Sequence, residues 1–113
     1  MIANAKAKFI RGSARKGRLV IDQIRGKRVG DAVSILKFSP KRAARHIEEC
    51  LQSAIANAQE KDSMIDVDDL VISKAVVDEG PTMKRIRPRA MGRAFRVKKR
   101  FSHISIELST MED

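Results

Sequence analysis

The sequence predicts an α+β fold: three helices packed on a small antiparallel sheet with a long protruding β-hairpin, in one domain over residues 1–113. Three observations predict it. Apolar residues alternate with polar ones at the N-terminus and again in the C-terminal half, the period of half-buried strands. Between these stretches apolar residues recur at steps of three and four, the period of helices that bury one face. And "GPTMKRIRPRAMGRAFRVKKRF", residues 80–101, holds nine Lys or Arg and no Asp or Glu. A core cannot take in that much charge of one sign, so the segment has to project from it.

In "IANAKAKFIR", Ala3, Ala5, Ala7 and Phe9 alternate with Asn4, Lys6 and Lys8, a first strand with a basic solvent face. Ser13 offers an N-cap, Val20, Ile21 and Ile24 follow at helical spacing, and Gly26 offers a stop, so a helix is expected over residues 13–25. "VGDAVSILKFS" gives a short second helix, with Asp31 near its positive end and Val33 and Leu36 on one face. In "FSPKRAARHIEECLQSAIANAQEK", Ser39 is placed as N-cap and Pro40 at the first helical position, ahead of a stripe of Ala44, Ile47, Leu51, Ile55 and Ala58. "DVDDLVISKAVVDEG" follows as a Val- and Ile-rich strand.

From Phe95 to Leu108 the alternation changes phase. Phe95, Val97 and Phe101 stand at odd positions, whereas Ile104, Ile106 and Leu108 stand at even ones. One strand face cannot stay buried through that shift, so a bulge or a change of packing partner is expected near Ser102 and His103. The part beyond the shift belongs to the core. The part before it forms one arm of a ribbon, each arm of about nine residues reaching roughly 30 Å at about 3.3 Å per residue. Pro81, Pro88 and Gly92 predict an irregular tip rather than a tight turn. An isolated, highly charged ribbon is marginal in water, so full order is expected only inside a polyanion.

The net charge is +10 and the pI about 10.4, as in proteins that bind nucleic acid or anionic surfaces. The charge is uneven. Residues 1–30 carry nine basic side chains against Asp22, and residues 60–79 carry seven acids against Lys61 and Lys74. One face is therefore expected on a polyanion and another in water. With four Phe and no Trp or Tyr, base stacking on aromatics is not expected to be the main mode of binding. Cys50 is the single cysteine, which excludes an internal disulfide and suits a reducing compartment such as the cytoplasm. No apolar run exceeds three residues, too few for a membrane span or a secretory core.

Several motifs come close to chemistry and miss it. "GSARKGRL" places Gly12 and Gly17 at the spacing of a phosphate-binding loop, yet Arg18 stands where its Lys belongs and Leu19 where a hydroxyl must hold magnesium. His46 and Cys50 are four apart, but no third and fourth zinc ligand accompanies them, and Cys50 lies beside Ile47, Leu51 and Ala54 on the apolar stripe. "DSMIDVDD" lacks the Gly and the terminal Glu of a calcium loop. No nucleophile with a base stands out, so no catalytic residue, metal or cofactor is expected, and the protein is read as a non-enzyme.

The segment "GPTMKRIRPRAMGRAFRVKKRFSHISIEL", together with "SARKGRLVIDQIRGK", "LKFSPKRA" and "SAIANA", resembles the L22 (uL22) family of large-subunit ribosomal proteins over nearly the whole chain. Pro81, Lys84, Arg85, Pro88, Arg89, Ala90, Gly92, Arg93, Lys99, Arg100, Ser102, His103 and Ile104 fall where the family pattern expects them. The resemblance implies an outer α+β domain near the tunnel exit and a hairpin threaded through ribosomal RNA to line the nascent-peptide tunnel. It also implies a role in early subunit assembly and a tip close to where macrolides bind. The candidate RNA-binding residues are Lys6, Lys8, Arg11, Arg15, Lys16, Arg18, Arg25, Lys27, Lys41, Arg42, Lys84, Arg85, Arg87, Arg89, Arg93, Arg96, Lys98, Lys99, Arg100, Ser102 and His103. The tunnel-lining tip is Met83, Lys84, Arg85, Ile86, Arg87, Pro88, Arg89, Ala90, Met91, Gly92 and Arg93.

Arg and Lys would neutralise phosphates crowded by RNA folding, and specificity would come from RNA shape. The implied partners are large-subunit ribosomal RNA, neighbouring large-subunit proteins and the nascent peptide, with no membrane and no second copy of the chain. The rival expectation is a DNA-binding regulator, with the helices as a helix-turn-helix variant and the ribbon as a groove-binding arm.

Overall fold

The computed structural model describes residues 3–88 and 94–110; Phe9, Arg11 and positions 81–88 and 94–100 are described by backbone and register. Along the chain run strand β1 (Ala3–Arg11), helices α1 (Ala14–Ile21), α2 (Val29–Lys37) and α3 (Ala43–Lys61), a 3-10 turn at Val67–Asp69, and strands β2 (Leu70–Pro88) and β3 (Ala94–Thr110). The three strands form an antiparallel sheet in the order β1-β3-β2. This is the α+β architecture that the periodicities predict.

The core lies between one face of the sheet and the helices. Ile104, Ile106 and Leu108 of β3 are buried, as are Ala3 and Ala5 of β1 and Leu70, Ile72, Ala75 and Val77 of β2. Register sets Ala5 and Ala75 on either side of Ile106, a small-large-small row that lets helices approach closely. Helix α3 packs on β1 and β3, α1 on β2 and α3, and α2 on α3. Their buried faces are Val20 and Ile21 of α1, Val29, Ala32 and Leu36 of α2, and Ala44, Ile47, Cys50, Leu51, Ala54 and Ala58 of α3.

Two helix boundaries differ from expectation. Helix α1 begins as predicted, with the Lys16 N–H donating to the Ser13 hydroxyl at 3.3 Å. It ends at Ile21 because the backbone tightens there: Gln23 and Ile24 donate to carbonyls three residues back, at 3.1 Å each. Gly26, at φ +79°, then donates to the Ile72 carbonyl at 3.0 Å, and Ile72 returns a bond to Lys27 at 2.9 Å. These bonds hold the turn against β2, and Ile24 is fully buried without being helical.

Helix α3 starts at Ala43 with Arg42 in the cap position, not at Ser39 and Pro40. The Ser39 hydroxyl accepts the Lys41 N–H two residues on, at 3.4 Å. Past it the backbone is tightened, with Ala44 and Arg45 donating to carbonyls three residues back at 3.2 and 3.3 Å, so the regular helix starts later.

β3 runs through its change of phase without a bulge of its own, and the register shifts there lie in its partners. Between Ala7↔Ile104 and Ile10↔Ser102, Lys8 and Phe9 of β1 oppose His103 alone. Between Glu79↔Ser102 and Thr82↔Arg100, Gly80 and Pro81 of β2 oppose Phe101 alone. The bulges thus sit in both partners of β3, one on each side of it. Past them β2 and β3 continue as a two-stranded ribbon, and the chain measures 64 × 25 × 18 Å along its principal axes. The radius of gyration is 17.2 Å, against about 13 Å for a compact chain of this length.

Candidate nucleic-acid interface

The ribbon is built from seven register pairs, Thr82↔Arg100, Met83↔Lys99, Lys84↔Lys98, Arg85↔Val97, Ile86↔Arg96, Arg87↔Phe95 and Pro88↔Ala94. At about 3.3 Å per residue this ladder is roughly 20 Å long. Six of the seven pairs include Lys or Arg, and Lys84 is set directly across from Lys98. Like charges opposed in a ladder destabilise it, so the sequence accepts a local cost to carry Lys and Arg along both strands. Pro81 falls at the bulge, where a missing N–H costs no ladder bond, and Pro88 is at the last pair. Arg89, Ala90, Met91, Gly92 and Arg93, and with them the expected irregular tip, lie outside the described residues.

The base of the ribbon is tightly constrained. A Cβ on Gly80 would lie 3.1 Å from the Phe101 carbonyl oxygen and 3.2 Å from His103 Nε2. Glycine thus leaves room where β2 shifts register against β3 and a Cβ would crowd the Phe101 backbone. Ser102 is buried at 5 % exposure and pairs with both Ile10 and Glu79. It belongs to the junction of core and ribbon rather than to the surface. His103 is half-buried beside it.

On the body, Lys6 and Lys8 project from the exposed side of β1, and Arg15 and Lys16 from α1. Lys27 is exposed in the turn after α1, and Lys41 and Arg42 are exposed ahead of α3. Arg11 is placed by backbone at the end of β1, paired with Phe101 at the foot of the ribbon. Two predicted cations have structural work. Arg18 Nε donates to the Val77 carbonyl at 3.0 Å. Arg25 donates from Nε and Nη2 to the Ala75 carbonyl at 3.1 and 2.8 Å, and its Nη1 meets Asp22 at 2.8 Å. β2 is a sheet edge, and these guanidinium groups satisfy its outward carbonyls. Gly17 lets α1 come close enough for this, since a Cβ there would lie 3.2 Å from Val77 Cγ1. The sequence reading left Arg28, Lys37 and Arg45 out of the candidate set, and all three are exposed. It also missed Phe38, which is 87 % exposed beside Lys37; its position off the Val33–Leu36 stripe was the available signal.

Nothing in the described residues assembles a reaction centre. No group of three or more His, Cys, Asp or Glu there could hold a metal ion. Cys50 is 4 % exposed, and its thiol points at the carbonyls of Ala5, at 3.6 Å, and Ile104, at 4.0 Å. Burial pushes that thiol up to about 11, against a small opposing effect of a backbone hydrogen bond. A shallow hollow of about 350 Å³ between Asn4, Asn57, Glu60 and Lys61 is crossed by the Asn57 amide donating to the Asn4 carbonyl at 2.9 Å. No helix among the described residues is long and apolar enough to cross a membrane. Helix α3, the longest, buries its apolar stripe and exposes Arg45, Glu49, Gln52, Glu60 and Lys61. That near-neutral face is poorly suited to entering a DNA groove.

Comparison with known proteins gives a consistent result. A family model described as "Ribosomal protein L22p/L17e" matches residues 5–109. The chain is similar to the large ribosomal subunit protein uL22 of Halothermothrix orenii (strain H 168 / OCM 544 / DSM 9562), 56 % identical over 113 residues that cover 100 % of this chain and 99 % of that protein. It is also similar to the large ribosomal subunit protein uL22 of Anaeromyxobacter sp. (strain Fw109-5), 49 % identical over 109 residues, 96 % of this chain and 76 % of that protein.

Proposed function

The chain belongs to the ribosomal protein L22p/L17e family, and from that premise we propose that it is a structural, non-enzymatic component of the large ribosomal subunit that works in two parts. The body binds ribosomal RNA through Lys6, Lys8, Arg15, Lys16, Lys27, Lys41 and Arg42, and helps the RNA fold during assembly. The ribbon enters the folded RNA and lines the nascent-peptide exit tunnel with residues 83–93. Arg18 and Arg25 serve mainly the sheet edge, and Ser102 serves the ribbon's base. The partners are ribosomal RNA, neighbouring large-subunit proteins and the nascent peptide, and the place of work is the cytoplasmic ribosome.

The observation that carries this reading is the ladder from Thr82↔Arg100 to Pro88↔Ala94, which runs past the helix-covered core and bears cations on both strands. A two-stranded ribbon is narrow enough to pass between RNA helices where a helix with its side chains, about 10–12 Å across, is not. Each cation placed against phosphate releases counterions, and the packed RNA in turn removes the ribbon's own repulsion. Binding is thus expected to be strongly salt-dependent and to follow RNA shape rather than base sequence.

Sedimentation of the tagged protein from a lysate, with a filter-binding series on in vitro large-subunit RNA, tests the reading. The protein should travel with large subunits. If about six to ten phosphates are contacted, affinity should fall roughly 10³- to 10⁵-fold between 50 and 200 mM salt. A protein that stays at the top of the gradient, or that binds random duplex DNA equally well at fixed salt, would refute it.

A further inference from the structure

Among the described residues, three large apolar side chains stand out in solvent: Leu19 at 56 %, Phe38 at 87 % and Met64 at 89 % exposure. Their surroundings separate them. Met64 lies in an acidic turn with Asp62, Asp66, Asp68 and Asp69, which repels a polyanion. Leu19 has basic neighbours but no π face. Phe38 has both: Lys37, Lys41, Arg42 and Arg45 are exposed around it in the chain, and no acid occurs from Asp31 until Glu48.

The ring also stands on a fixed base. Phe38 closes α2, with its N–H donating back to Ser34 at 3.2 Å. Ser39 N–H donates to the Leu36 carbonyl at 3.3 Å, and Lys41 N–H to the Ser39 hydroxyl at 3.4 Å. Leu36, two residues earlier, is buried at 1 % exposure and anchors the turn in the core. The backbone on both sides of the ring is therefore set before any ligand arrives, which lowers the entropic cost of using it.

Resting on the ribosomal reading above, we infer that Phe38 is a stacking platform for one unpaired base of the ribosomal RNA, with Lys37, Lys41 and Arg42 on the adjoining phosphates. An exposed aromatic ring with exposed cations close to it in the chain has the chemistry of a single-stranded nucleotide site: a base has a π face at any sequence, and its backbone supplies the anions. An apolar protein pocket would satisfy the ring but leave four cations to be matched separately.

The test uses the full chain with Phe38→Ala, Phe38→Leu and Phe38→Trp, and in vitro transcribed large-subunit RNA as the probe. Because the ring is exposed, all three variants should keep the wild-type thermal midpoint. Phe38→Ala should weaken RNA binding by about 5- to 150-fold, the range of losses when a stacking aromatic is truncated. The slope of log affinity against log salt should stay unchanged, because no phosphate contact is lost. Phe38→Leu should bind as weakly as Phe38→Ala. Phe38→Trp should bind like wild type, and its indole, alone in a chain with no Trp, should be quenched on adding RNA. Wild-type affinity in Phe38→Ala or Phe38→Leu, or an unquenched indole in the complex, would overturn the inference while leaving the ribosomal reading intact. A wild-type protein with no affinity for the RNA would overturn both.

Discussion

Cutting the ribbon at its base should separate RNA binding from folding. The register supplies the site: replacing residues 83–99 with Asn-Gly leaves Thr82 and Arg100 as the closing pair, and a two-residue type I′ turn suits the strand twist. Among the described residues the buried apolar set runs from Ala3 to Val77 and from Ile104 to Leu108, on the body side of the cut. The cut also removes the opposed Lys84 and Lys98. The thermal midpoint should therefore move by no more than about 5 °C, less than roughly 1 kcal/mol for a chain of this size.

RNA binding should change far more. The replaced segment holds Lys84, Arg85, Arg87, Arg89, Arg93, Arg96, Lys98 and Lys99, eight cations, so the net charge drops from +10 to +2. If each meets one phosphate, the salt slope should lessen by about 6 to 7, at roughly 0.7 to 0.9 per contact. Over the fourfold change from 50 to 200 mM salt, wild type should then lose about 10³- to 10⁴-fold more affinity than the shortened protein. Circular dichroism melts and a salt series of filter binding read the two quantities. An unfolded protein, a midpoint lower by more than about 10 °C, or an unaltered salt slope would refute the division into anchor and ribbon.

Three smaller changes probe the body. Cys50→Ala should cost about 1 kcal/mol, read as a fall of roughly 4–8 °C in midpoint, and leave RNA binding unchanged. Because burial raises the folded thiol from 9.0 to about 11, Cys50 should stabilise wild type below pH 9 and lose that contribution as pH rises to about 11; the alanine variant should lack this component. Arg25→Ala should lower stability by about 1–3 kcal/mol through the lost bonds to Ala75, with little from the half-exposed Asp22 pair, and Arg25→Lys should fail to restore it for want of the two-pronged donor; equal melts for all three proteins would contradict this. Gly80→Ala should cost about 1–3 kcal/mol, because the new Cβ meets the Phe101 backbone rather than a side-chain tip that can swing away. An unchanged midpoint would show that the base of the ribbon has slack.

The sequence announced those features that one segment decides alone. Ala3, Ala5 and Ala7 alternating with Asn4, Lys6 and Lys8 specify β1 without reference to its partners, and the run from Ala44 to Ala58 specifies α3 by its own period. The features that depended on a competitor were harder to read. Ser39 has a hydroxyl fit for a cap and does accept the Lys41 N–H, yet the backbone beyond it tightens to three-residue bonds and the helix proper starts at Ala43. The phase change near Ser102 was visible in β3, but the bulges beside it lie in the partner strands, where Lys8 and Phe9 face one residue and Gly80 and Pro81 another. For the site, charge density pointed to the basic N-terminal zone, where Lys6, Lys8, Arg15 and Lys16 are exposed. It could not tell Arg15, free to face a ligand, from Arg18 and Arg25, which lie over β2, because nothing local encodes which sheet edge needs donors.

Tethered radical cleavage in assembled subunits tests most directly the claim that body and ribbon meet different parts of the RNA. In a Cys50→Ala background, an iron chelate would be attached through Arg85→Cys on the ribbon or Lys16→Cys on α1, and the large-subunit particles collected by sedimentation. The account predicts two separate cleavage sets: Arg85→Cys cutting nucleotides of the tunnel wall, and Lys16→Cys cutting nucleotides toward the outside of the particle. Cleavage from Arg85→Cys confined to the outer surface, or coinciding with that from Lys16→Cys, would contradict it.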